Sequence, residues 1–215
     1  MIIRTILDTD LYKFTTSYAY IKLFPYAIGT FSFKDRDGTE YSDEFVERLR
    51  TEISQLSHVA LTEKELEYMI KNCRFLPRVY WEWLSSFRFQ PEKIEIRLDE
   101  NRQLHIEVND YLYKATLYEV PLLAIVSEIK NQSSGNVANL EDILYKLSEK
   151  TELSNKHQLL FSEFGTRRRF SFDVQNQVIG HLKQTAHYCI GTSNCHFAMK
   201  SVSYTHLTLP TIYSV

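Results

Sequence analysis

Apolar side chains recur along the first 130 residues with two different periods. Phe45, Val46, Leu49 and Ile53 keep the three-and-four spacing of one helix face, behind Ser42 or Asp43 as N-cap. Thr62 and Glu65 form a capping box ahead of Leu66, Met69 and Ile70. The stretch from Leu76 to Phe87, with Trp81, Trp83 and Leu84, predicts a buried helix. Strict alternation replaces the helical period at Ile94, Ile96 and Leu98 and again at Leu104, Ile106 and Val108. Asp99-Glu100-Asn101-Arg102 lies between them, so the pair predicts a β-hairpin. Upstream, Asp8, Thr9 and Asp10 are all competent caps for a helix with Tyr12, Lys13 and Thr16 in its first two turns. Tyr20, Leu23 and Phe24 follow, and Pro25 stops it. Ile28 to Phe33 predicts a strand entering the turn Lys34-Asp35-Arg36-Asp37-Gly38. Glu119-Val120-Pro121-Leu122-Leu123 predicts the first turn of another helix, where proline is tolerated. That helix runs to about Lys130 and is apolar nearly all round, hence buried.

Residues 131–139 are rich in Ser, Asn and Gly and predict a linker, after which the pattern changes. Asn139 caps a helix over about 140–153. Leu159 to Phe164 is an apolar run suited to a short buried strand, and Gly165 breaks it where the chain turns. A helix follows from Phe172 to His187, a short strand near Tyr188–Ile190, and another helix from about Asn194. Alternating strands and helices predict parallel strands with crossover helices. The chain shows no internal repeat. Thr205 to Val215 carries no charge and no amphipathic period, and the alternation stops mid-unit. The sequence therefore reads as truncated near residue 200, with 205–215 as a non-native tail.

Charge narrows the function classes. Lys and Arg total 25 against 27 Asp and Glu, so no global basic field recruits duplex nucleic acid, and any affinity for anions is local. Cys73, Cys189 and Cys195 have no metal-ligand spacing and leave one thiol unpaired, which suggests free thiols in a reducing compartment. No signal peptide and no membrane span is legible, so the expected location is the cytoplasm. The local anion site is Arg167-Arg168-Arg169, directly after the strand and its Gly turn. A guanidinium fork matches phosphate or carboxylate oxygens two at a time. Spacing alone leaves a solvated basic patch equally open.

Three stretches taken in order carry a resemblance: Thr9-Asp10-Leu11-Tyr12-Lys13-Phe14-Thr15, Glu163-Phe164-Gly165-Thr166-Arg167-Arg168, and Gly191-Thr192-Ser193-Asn194. Glu119-Val120-Pro121-Leu122-Leu123 is a fourth, weaker match. Together they resemble the nicotinate phosphoribosyltransferase family from Met1 to about Lys200. The resemblance implies an α+β N-terminal domain over 1–138, then over 139–204 the first β/α units of an irregular α/β barrel of the type II phosphoribosyltransferase kind, incomplete here. It implies a homodimer with shared active sites. The reaction joins nicotinate to phosphoribosyl pyrophosphate in NAD salvage and releases pyrophosphate. Mg²⁺ takes part, and ATP hydrolysis is coupled through a phosphorylated histidine.

The same resemblance distributes roles. Phe164 stacks on the pyridine ring, and Tyr12 of the partner subunit covers the opposite face. Arg167 is catalytic, beside the substrate and the leaving group. Arg36 holds the pyrophosphate and Lys13 assists. Thr192 and Ser193 bind substrate past the second barrel strand, and the Ser193 hydroxyl selects the acid over the amide. Arg168 and Arg169 are left as solvated or interdomain charges. One departure matters: the Gly-Thr-x-Ala-His-Glu motif with the phosphate-accepting histidine is absent, and neither His196 nor His206 stands in that context. The chain alone is therefore expected to be inactive. The nicotinamide-specific relatives share Asp-x-Tyr-Lys and Phe-Gly-x-Arg and are the runner-up. A noncatalytic RNA-binding module using the three arginines and the aromatics is the alternative from another class.

Overall fold

The computed structural model describes residues 1–35, 38–135 and 137–200. Helix α1 (Leu11–Leu23) starts after Asp10, but the Asp10 side chain makes no cap bond to it. Leu11 and Phe14 are buried, whereas Leu23 and Phe24 lie at the surface. Strand β1 (Ile28–Ser32) follows. Helix α2 (Asp43–Ser54) is capped by Ser42, whose hydroxyl accepts from the Phe45 amide, and it buries the whole predicted face. Helix α3 (Glu63–Asn72) has both halves of the Thr62–Glu65 capping box in place. Helix α4 (Arg78–Ser86) buries Trp81 and Leu84.

The alternating segments pair as their period demands. Strands β2 (Ile94–Leu98) and β3 (Leu104–Tyr111) are antiparallel, with Leu98 opposite Leu104. β1 pairs with the other edge of β3, giving the order β1-β3-β2. Ile94, Ile96, Leu104, Ile106 and Val108 form the buried face.

Helix α5 corrects an expectation. It spans Leu112–Ser133, starting directly at the end of β3, so Pro121 lies in its interior and not in its first turn. An interior proline removes one backbone bond and costs about 3 kcal/mol. Burial offsets that cost: Leu117, Tyr118, Val120, Leu122, Ala124, Ile125 and Ile129 are all enclosed, and each large apolar side chain contributes roughly 1.5–3 kcal/mol. Tertiary packing on α1, α2 and β1 thus overrides the local signal. The linker shrinks accordingly to 134–139.

Helix α6 (Leu140–Lys156) is capped by Asn139. Then come strand β4 (Phe161–Glu163), a 3₁₀ turn at Thr166–Arg168, helix α7 (Phe172–Thr185), strand β5 (Cys189–Thr192) and helix α8 (Cys195–Lys200). β4 and β5 are parallel, with Glu163 opposite Thr192. The apolar run before Gly165 is not a buried strand. Leu160 is 71% exposed, and within β4 only Glu163 is buried. α6 ends in a turn with Gln158 at positive φ, and Leu159 donates back to the Ser154 carbonyl, so the first residue of the run closes the helix.

The N-terminal segment ties the two parts together. Asp10 bridges to Asn194, the Leu11 amide donates to the Ser193 carbonyl at 2.8 Å, and the Cys195 amide donates to the Thr9 carbonyl at 3.0 Å. Ile3, Leu7, Leu11 and Phe14 therefore share a core with Cys195. Among the described residues no helix is long and apolar enough to cross a membrane.

Candidate active site

The start of α1 meets the ends of β4 and β5. Because residues 7–10 are held by backbone bonds to the start of α8, Asp10 faces the second strand end instead of capping its own helix. Its Oδ1 accepts the Ser193 hydroxyl at 2.6 Å, and Oδ2 lies 3.8 Å from Arg167 Nε. Burial, outweighing Ser193 and the Arg167 charge, pushes the Asp10 carboxyl up to about 6.

Gly165 sits where the chain leaves β4. Its amide donates to Glu163, and a Cβ there would lie 2.8 Å from the Glu163 carboxylate, so a side chain would push that carboxylate out of place. Glu163 also accepts from Thr192 Oγ1 at 2.5 Å and Gln175 Nε2 at 2.7 Å. That network fixes the two strand ends relative to each other.

Phe164 and Tyr12 stack with ring centroids 5.9 Å apart and planes inclined by 22°. The Arg167 guanidinium carbon lies 5.4 Å from the Phe164 centroid, and the Lys13 ammonium lies 4.8 Å from that of Tyr12. Glu119 on α5 joins the two cations. It pairs with Lys13, accepts from Arg167 Nη1 at 3.2 Å and accepts the Tyr12 hydroxyl at 3.4 Å. Burial, and after it the Glu119 charge, push the Tyr12 phenol well above its ordinary range, so it stays a proton donor.

The structure brings Tyr12, Lys13, Phe164, Arg167 and Ser193 into one cluster. Within one chain Tyr12 stacks on Phe164, because the Asp10–Asn194 bridge pins the start of α1 over β5. Thr192 is buried and commits its hydroxyl to Glu163, so its side chain supports the strand ends. Arg36, His206 and the 205–215 tail lie outside the described residues. Arg168 is exposed, but Arg169 is only 2% exposed and cannot be a solvated charge. It donates to Asp8 Oδ1 at 2.7 Å and to Glu128 Oε1 at 2.6 Å, linking the N-terminal segment to α5. His196 lies 3.6 Å from Glu65 and packs on Phe172.

Sequence reasoning missed Asp10, seen only as a cap, Glu119, quoted without a role, and Arg169. For Glu119 a signal existed: an acid within an otherwise apolar helix has to be paired to be tolerated.

The site is thus an aromatic pair flanked by cations, at parallel strand ends against an α+β lobe. The nicotinate phosphoribosyltransferase N-terminal domain model matches residues 7–127, and the nicotinate phosphoribosyltransferase family model matches 159–209. The chain belongs to the nicotinate phosphoribosyltransferase family. It is 39% identical over 214 residues to the nicotinate phosphoribosyltransferase of Methanosarcina acetivorans, an alignment covering 92% of this chain and 53% of that protein. The solved structure of the Porphyromonas gingivalis nicotinate phosphoribosyltransferase superposes with a TM-score of 0.89 at 43% identity, over 93% of this chain and 51% of that one. A putative nicotinate phosphoribosyltransferase from Saccharomyces cerevisiae gives 0.85 at 29% identity, over 93% and 52%. The chain thus spans about half the length of the curated relatives it matches. Its α+β fold corresponds to their N-terminal domain and the start of their catalytic domain.

Proposed function

We propose that the complete protein joins nicotinate to phosphoribosyl pyrophosphate in NAD salvage. The observation that carries this reading is the Tyr12–Phe164 pair with Arg167 at its edge. A flat ring between two others needs about 7 Å, twice a carbon contact of ~3.5 Å, so the 5.9 Å pair has to part by at least about 1 Å to admit one. In the reaction the ring nitrogen bonds to ribose C1 as the bond to pyrophosphate breaks. Negative charge grows on the leaving oxygens, and Arg167 is the catalytic cation beside them, assisted by Lys13. Arg36 is assigned to the pyrophosphate on resemblance alone. The 1–138 and 139–204 units are read as the α+β lobe and the opening of an irregular α/β barrel.

ATP coupling belongs to this proposal through the family. His196 is given no part in it: its ring packs against Phe172 and Phe197 and lies 3.6 Å from Glu65. Among the described residues no group of three His, Cys, Asp or Glu side chains gathers where a metal could be held. Mg²⁺ is commonly carried by substrate phosphates with one or two carboxylates, so it would enter on the diphosphate. A homodimer is part of the proposal, with each ring pair drawn from one chain. The three free cysteines fit a cytoplasmic setting.

One observation favours nicotinamide as a second reading. The Ser193 proton is already given to Asp10, so its hydroxyl is not free to donate to a carboxylate. Mononucleotide formation from each base, with phosphoribosyl pyrophosphate and with or without ATP, decides between them. A higher kcat/KM for nicotinate is expected. Absence of product from both bases would overturn the proposal.

A further inference from the structure

We infer that Glu119 is a positioning residue, whose carboxylate holds Tyr12, Lys13 and Arg167 in register so that rings and cations face one slot. The inference rests on the nicotinate reading above. Three donors from two distant segments converge on this one carboxylate. Oε2 pairs with Lys13, while Oε1 accepts from Arg167 and Tyr12. Among the described residues no backbone hydrogen bond joins α1 to the 3₁₀ turn that bears Arg167, and the side chain of Glu119 on α5 bonds to both, beside the longer Asp10–Arg167 pair. Its position on the helix suits the task, because Val120, Leu122 and Ile125 next to it are enclosed and α5 packs on both α1 and that turn.

The pairing also sorts the two cations. The Lys13 side chain is 6% exposed and remains with Glu119 as a buried pair, whereas the Arg167 side chain is 35% exposed. Among the described residues Arg167 Nη2 has no hydrogen-bond partner, so the outer edge of the guanidinium is presented to a ligand while Nη1 stays anchored. A carboxylate that fixes one side of an arginine fork and leaves the other open orients it without occupying it.

The test compares wild type, Glu119→Ala and Glu119→Gln in the complete protein. Nicotinate binding is read by calorimetry, and kcat and KM are measured with formate from 0 to high concentration. Glu119→Ala should lower kcat/KM for nicotinate at least tenfold, and formate should restore part of it saturably by entering the space between the three donors. Glu119→Gln keeps an oxygen for Arg167 and Tyr12 but turns its amide toward the Lys13 ammonium. It should retain more activity than Glu119→Ala and respond less to formate. A purely structural role would lower the folded fraction while leaving kcat and KM per folded molecule unchanged, and that result would overturn the inference. If the wild type itself neither binds nor converts nicotinate, the functional reading fails instead.

Discussion

Arg169→Leu isolates the buried clamp between the N-terminal segment and α5. The guanidinium has no solvent contact, and both partners, Asp8 and Glu128, are buried. The substitution removes charge-assisted bonds of 2.7 and 2.6 Å and leaves two carboxylates facing an apolar side chain. Removing one partner of a buried ion pair costs about 3–5 kcal/mol, against a total stability of roughly 5–15 kcal/mol for a domain. Arg169→Lys keeps the charge but not the fork. It should cost about 1.5–3 kcal/mol, the worth of one bond to a charged group. Urea unfolding at constant m-value is the assay. The loss should depend on pH with a defined sign. Burial, opposed by Arg169, already holds the Glu128 carboxyl above its ordinary value, and without Arg169 it should rise further. The variant should then recover toward wild type as pH falls and the acid protonates, and be least stable above neutrality. Arg169→Leu combined with Glu128→Leu should lose less than the single change, because one stranded charge is gone. A cost below about 1 kcal/mol that is identical at pH 5 and pH 8 would refute the reasoning.

Asp10 gives a second pH signature. Its folded value of about 6 lies above the ordinary 3.8, so the native state holds the proton more tightly and stability falls as pH rises through that window. Asp10→Asn should flatten the slope between about pH 4 and 6 and gain up to about 3 kcal/mol above it. An unchanged slope in the variant would show that Asp10 titrates normally. If both rings of a site come from one chain, as proposed, Tyr12→Ala and Phe164→Ala chains, each inactive, should not complement when mixed. Recovery of activity in mixed dimers would reinstate a site shared across subunits. Ser193→Asp should cut kcat/KM for nicotinate at least about tenfold, equivalent to 1.4 kcal/mol, by setting a second carboxylate beside Asp10. An unaltered preference for nicotinate would remove Ser193 from the site.

What the chain revealed in advance was local. The Thr62–Glu65 box, the Ser42 cap and the 94–108 hairpin depend on neighbours within a few residues, and each formed as its pattern required. The motifs that carried the family resemblance likewise converge in space at Tyr12, Phe164 and Arg167. The misreadings share a different cause. Pro121 was read by its local tolerance, yet the burial of α5 outweighed it. Leu160 was read as core from its run, but a helix end consumed the start of that run. Arg169 looked like one of three solvated arginines, and only the fold reveals that Asp8 and Glu128 lie on either side of it. Burial of a charge is set by residues far away in sequence, which spacing cannot show.

The fastening of residues 7–10 onto the start of α8 also dictates when the site can exist. The Ser193–Asp10 and Asn194–Asp8 bonds close across 183 and 186 residues. Contacts of such range form late, since the chain loses loop entropy before they reward it. During synthesis at 5–20 residues per second, a nascent chain waits roughly 10–40 s between emergence of the first aspartates and of their partners. Throughout that interval Ile3, Leu7 and Leu11 lack part of the core they end in, and the two acids lack their donors. Residues 3–11 are thus made well before the segment that locks them, and they need shelter on the ribosome until it emerges.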